Sequence, residues 1–326
     1  MTAPLTSRGV MGLTSAVLAG GISAALFSYA FSHAETLQIF FAYLAGVPLF
    51  AVGLGAGSVS GFVAALIAVV GLILVVSPNL AVIYAALYAL PIAVLTVLAM
   101  RYKQGDDQKV YWYPEGYLLT ALTLYPCLLF LAAVGVMAGQ DGGLLGLSSQ
   151  ALHSITDQVS GQMDPEMAAR LPGIMEQIAR VLPAMAGCSW IFLILVSAWA
   201  AQAILKRSGW LLRSPFGWRD LTLPNWVTLA VAITGLAGYF APEPYNYIGA
   251  NICIMFCVPL FLAGLAVVHV YAETRKMSRK AAITLLILFY VLLSFLPWLS
   301  PVVAMLGALD QGMNLRRRMT APPASN

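Results

Sequence analysis

The residues able to do chemistry are few, and they are scattered through apolar sequence. His269 and Glu273 stand four apart, which puts an imidazole and a carboxylate on one helical face. That pairing suits an acid–base step, here on a lipid; the competing reading is two side chains reaching for the membrane interface. Tyr84 and Tyr88 also share a face, and each offers a flat ring with a hydroxyl to a pocket. Asn251 enters a late apolar run, and Asp310 closes the last one. A charge in hydrocarbon costs at least ~2.5 kcal/mol, so such groups face a cavity or a partner. For Asp310 the available partners are one of Arg316–Arg318 or a cation from a connector.

Signatures of catalysis are missing. There is no glycine-rich phosphate loop with its lysine, no His-Glu-x-x-His and no Gly-x-Ser-x-Gly. We therefore expect no catalytic residue, no cofactor and no ATPase of the chain's own, and read the protein as a non-enzyme. Cys127, Cys188, Cys253 and Cys257 all fall inside apolar runs, which implies no disulfide framework. Cys253 and Cys257 share a helix face but have no histidine or carboxylate beside them, so they read as packing residues and no metal ligand is expected.

The elements that must position these groups follow from composition. Of 326 residues 60% are apolar and 9% charged. A soluble domain carries roughly a quarter charged residues, and several apolar runs here exceed the ~18 residues that mark a membrane span. The expected fold is all-α, a polytopic integral membrane helix bundle forming one transmembrane domain over residues 1–326. Eight full spans fall near 10–32, 37–56, 59–77, 80–100, 117–139, 184–205, 223–241 and 247–271. A ninth run, 281–309, is broken by Pro297 and Pro301; we read it as a short hairpin that returns the polar tail, 311–326, to the side it left. Between 140 and 183 lies an extracytoplasmic loop. Its first half reads as irregular, and its second half as an amphipathic helix interrupted at Pro172-Gly173.

Charge sets the direction. Arg101, Lys103 and Lys109 share one connector, the basic stretch 206–222 holds Lys206, Arg207, Arg213 and Arg219, and Arg275, Lys276, Arg279 and Lys280 fill a third. Only Arg170 and Arg180 fall on the opposite side. By the positive-inside rule the N-terminus is cytoplasmic and the protein sits in a bacterial inner membrane. The cations collect at helix ends, so the net charge of +4 marks topology and the lipid bilayer, with no nucleic-acid partner.

Ala16, Gly20 and Ala24 recur every fourth residue in the first span. Small residues let helix backbones approach closely in lipid. They serve either internal packing or the docking of a second membrane protein.

Two short motifs carry a family resemblance. Phe216-Gly-Trp218-Arg219-Asp-Leu-Thr-Leu-Pro224 leads into an apolar span, and Leu306-Gly307-Ala-Leu-Asp310 is followed by Arg316. Both resemble the YybS-like predicted membrane proteins that carry domain of unknown function 2232. That family is distantly similar to the substrate-binding membrane components of energy-coupling-factor vitamin transporters. The resemblance implies a small-residue first helix, here Ala16, Gly20 and Ala24, presented to a transmembrane coupling subunit. It transfers no ligand residue.

Three functions remain open from sequence. One is a small-solute-binding transporter component, with Tyr84, Tyr88, Asn251, His269 and Glu273 as candidate ligand residues. The second is a membrane scaffold among envelope-assembly proteins. The third is an intramembrane lipid-modifying enzyme.

Overall fold

The fold was derived as a computed structural model, which describes residues 5–32, 37–160, 164–214, 217, 220–274 and 278–320. It is built from helices, with one small hairpin. In order these are α1 (Leu5–Ser32), α2 (Leu37–Ala45), α3 (Val47–Gly55), α4 (Ser58–Val75), α5 (Pro78–Tyr84), a π-helical segment Ala85–Ala89 and α6 (Leu90–Ala99). Then come the strands β1 (Tyr102–Gln104) and β2 (Val110–Trp112), followed by α7 (Glu115–Met137), α8 (Gly143–Ser160), α9 (Pro165–Ser208) and α10 (Trp226–Phe240). The chain closes with α11 (Tyr245–Thr274), α12 (Arg279–Phe295), α13 (Leu299–Met313) and α14 (Leu315–Thr320). Among the described residues seven stretches are long and apolar enough to cross a membrane, while Trp226–Phe240 is shorter. The chain is thus a multi-pass, all-α membrane protein whose exposed apolar side chains meet lipid.

Two expectations are corrected. Residues 143–160, read as irregular in their first part, form α8; Ser148 and Thr156 turn their hydroxyls back onto the Leu144 and Leu152 carbonyls. Polar side chains absorbed in this way do not break a helix. Pro172-Gly173 does not interrupt α9, which runs 44 residues through both Pro172 and Pro183. A proline removes one rung and bends the axis, but it ends a helix only where nothing else holds the two halves. The final run breaks at 296–298, between α12 and α13, as its prolines led us to expect.

Two compact units divide the chain, Met1–Leu122 with Ile191–Leu221, and Thr123–Trp190 with Thr222–Asn326. In the first, α1 packs mainly on α4 and α2. β1 and β2 pair antiparallel in the connector after α6, with Tyr102 opposite Trp112. At the hairpin's tip the Lys109 backbone N–H donates to Asp107 and holds that exposed carboxyl below its usual range. In the second unit α11 is the axis, with α10 and α13 as its main neighbours.

Candidate functional site

Each unit contains a helix interruption, and in lipid every backbone group freed by one needs a partner. In the first unit α2 gives way to α3 at Gly46, and Pro48 removes a further donor. The carbonyls just upstream are served by hydroxyls from three other helices. Tyr88 donates to Ala42 at 2.8 Å, Ser197 to Tyr43 at 2.7 Å and Ser23 to Ala45 at 2.5 Å. Tyr84 hydrogen-bonds Ser23 at 2.6 Å, and the rings of Tyr84 and Tyr88 stack 5.8 Å apart. Both tyrosines are buried. The pair proposed from sequence as a pocket wall is therefore the support of the broken helix.

Asn251 has a comparable task in the second unit. Pro183 bends α9, and Asn251 on α11 inserts its amide at the bend. Its Nδ2 donates to the Arg180 carbonyl at 2.8 Å, and its Oδ1 accepts from the Ala184 N–H at 2.9 Å. Residues 180 and 184 are the two ends of one α-helical rung, so the side chain bridges a rung that the kink opens. A third bond ties Nδ2 to Tyr247 on its own helix at 2.9 Å. With every polar atom of its amide engaged, Asn251 is a splint.

The junction of α10, α11 and α13 is different, because it holds charge. Gly264 and Gly307 allow α11 and α13 to touch backbone to backbone; a Cβ at either would overlap the Val303 or the Leu260 carbonyl. Those two contacts make α13 antiparallel to α11, and the same register carries Asp310 past Leu260 toward the middle of α11. That helix has 30 residues, about 45 Å, more than the ~30 Å apolar slab. Asp310 is buried, and its two oxygens accept from the Arg316 backbone N–H at 2.9 Å and from Arg316 Nε at 2.7 Å. Asn314, between them, is left-handed at φ 52° and turns the chain from α13 into α14. Among the cations open to Asp310 from sequence, Arg316 pairs with it.

Beside this pair Gln311 accepts from Thr228 and donates to the Pro224 carbonyl. Pro224 sits in the non-helical stretch before α10, and the Trp226 ring meets Phe256 near the centre of α11. Helices of 15 residues, as α10 and α13 both are, reach about 22 Å and fall short of a full crossing. The start of one and the end of the other thus meet beside the middle of α11, around a buried ion pair and an amide.

The remaining candidates lie elsewhere. His269 Nε2 meets the Tyr290 hydroxyl of α12 at 2.9 Å, with Glu273 one turn away on α11. Ala16 is fully buried, and a Cβ at Gly20 would come 2.5 Å from the Ala64 carbonyl of α4. The small-residue face of α1 is therefore occupied by α4, with Ala24 only half-buried at its edge. Of the two readings open from sequence, internal packing describes this contact: close approach brings in a partner helix of the same unit. Trp218 and Arg219 lie outside the described residues. Sequence reasoning treated Arg213 only as a topology marker, but it is buried, bonded to the Ala99 and Tyr113 carbonyls and to Glu115 Oε1 at 2.8 Å. Among the described residues no three His, Cys, Asp or Glu side chains are grouped as for a metal ion.

The chain belongs to the family of predicted membrane proteins with domain of unknown function 2232, whose model matches residues 21–311. Pro224, Gly307 and Asp310 fall inside the matched stretch, and Arg316 falls just beyond it. No curated protein and no solved structure gives a match.

Proposed function

From this family membership and the junction at α11, we propose that the protein is a small-solute-binding component of a membrane transport system. The observation that carries the reading is the meeting of two short helices around Asp310, Arg316 and Gln311 beside the middle of α11. Transporters place substrate sites where discontinuous helices end near the bilayer midplane, since freed backbone and polar groups are available there. Energy would come from a separate transmembrane coupling subunit, as in the energy-coupling-factor systems the sequence motifs resemble. The cation asymmetry supports a bacterial inner membrane with the N-terminus inside.

The test is native mass spectrometry of the protein purified gently from its own membrane, without overexpression. A small molecule retained by the wild type and lost from Gln311→Leu supports the reading. A bare protein, or one holding only envelope-assembly proteins, overturns it in favour of a scaffold. One observation favours that second reading: α9 is about 66 Å long, roughly twice what a span needs, and begins with exposed Glu166 and Arg170.

A further inference from the structure

Among the described residues the Tyr247 hydroxyl is the one buried side-chain polar atom that makes no hydrogen bond. Tyr247 is 6% exposed and lies in the first turn of α11, one turn before Asn251. Its backbone holds it in place: the N–H donates to Asn246 Oδ1, and the carbonyl accepts from Asn251 at 2.9 Å. The Phe130 ring of α7 meets its ring edge-on, 5.7 Å away. Two polar groups act on the hydroxyl without closing a bond. Ser148 of α8 is near it, but the Ser148 proton goes to the Leu144 carbonyl at 3.0 Å. The Glu243 carboxylate acts on it through space, while Arg180 of α9 holds that carboxylate at 2.7 Å.

A buried donor with no acceptor destabilises the fold that contains it. Packing does not account for one here, since phenylalanine would present the same ring without the penalty. An acceptor brought by a ligand does account for it, and the neighbours define the ligand's chemistry. Arg180 and Glu243 are 47% and 49% exposed, and an ion pair so open to water holds loosely. A free carboxylate can therefore displace that of Glu243. Its two oxygens then serve two donors, the Arg180 guanidinium and the Tyr247 hydroxyl, in charge-assisted bonds. The N-terminal turn of α11 favours negative charge at the same place. A cation would be repelled by Arg180, and a neutral amide would forgo the charge assistance.

We propose that Tyr247 and Arg180, with Ser148 alongside, form a binding site for a small carboxylate at the end of α11 away from its basic connector. Glu243 is the site's internal competitor. It occupies Arg180 while no ligand is bound and swings outward when one arrives. The site is separate from the Asp310–Arg316 junction and stands whether or not that junction holds a solute.

The experiment follows thermal unfolding of the full chain in nanodiscs as acetate replaces chloride at constant ionic strength. Binding to the native state raises Tm with ligand concentration, so acetate should stabilise saturably, whereas acetamide, its neutral isostere, should not. Tyr247→Phe should weaken acetate binding about 10-fold, the share of one hydrogen bond to a charged group, yet leave Tm without ligand unchanged or higher. Glu243→Gln removes the competitor and should tighten acetate binding about threefold, and Arg180→Gln should abolish it. Tyr247→Phe keeps the ring and its packing, so the test holds even if Arg180→Gln fails to fold. Acetate acting no differently from chloride, equal stabilisation by acetamide, or unchanged affinity in Tyr247→Phe would each overturn the proposal. So would a lower Tm of Tyr247→Phe without ligand, which would mean that the hydroxyl is paired within the fold.

Discussion

The interruptions in the two units are held by different chemistry. At Gly46 the first unit uses neutral hydroxyls from Ser23, Tyr88 and Ser197, each donating to a carbonyl that the break set free. The second unit uses an amide at Pro183 and a full ion pair at the end of α13. Hydroxyls are cheap to bury and individually worth little, so the first break reads as ordinary packing. A buried charge pair is expensive, and a helix end can be satisfied without one. The difference teaches where function is to be sought: at the break whose polar groups exceed what backbone satisfaction requires.

Three substitutions sharpen or break this contrast, and the largest effect belongs to the ion pair. Asp310→Ala leaves Arg316 buried without its carboxylate, and a loss of about 3–5 kcal/mol is expected, read by reversible unfolding in mixed micelles. The paired change Asp310→Leu with Arg316→Met should recover most of that loss. If Asp310→Ala costs no more than a hydroxyl deletion, the two breaks are energetically alike and the contrast fails.

Next comes the splint. Asn251→Ala strands the Arg180 carbonyl and the Ala184 N–H, each a buried polar group, at about 2–3 kcal/mol. Pro183→Ala straightens α9 and lets residues 180 and 184 bond each other, so the double variant should be more stable than Asn251→Ala alone. Additive losses in that cycle would refute the splint. The smallest effect is Tyr88→Phe, at about 0.6 kcal/mol for one hydrogen bond between membrane helices. A loss several times larger would mean that the first break also carries strain or function.

Much of this was legible in the residues, for reasons that can be named. Long apolar runs report spans directly, since only closed backbone hydrogen bonding survives in lipid. Asp310 and its downstream arginines were readable because the partners lie within seven residues and one chain turn brings them together. Asn251 was visible as a polar intruder, but its task was hidden: the kink that it bridges is 67 residues away in sequence. Tyr84 and Tyr88 were seen as a pair, either lining a pocket or packed in the core, because nothing local reveals that the Tyr88 hydroxyl reaches the Ala42 carbonyl 46 residues away. The helix Gly143–Ser160 and the continuity of α9 through Pro172 were missed where Ser, Gly and Pro gave turn signals that helical context overrode.

The glycine contact between α11 and α13 also bears on the order in which the protein is made. Chains enter the membrane from the N-terminus as they are synthesised, so α10 and α11 are in place before α13 has left the ribosome. At 15 residues α13 is too short to be recognised as an independent span. Its docking surface is the backbone groove at Gly264, already formed when it arrives. The helix bearing Asp310 therefore docks one face on protein, at Val303, Ala304 and Gly307, while Val302, Met305 and Leu309 stay exposed. A ribosome stalled before residue 299 would leave α11 with its groove at Gly264 open.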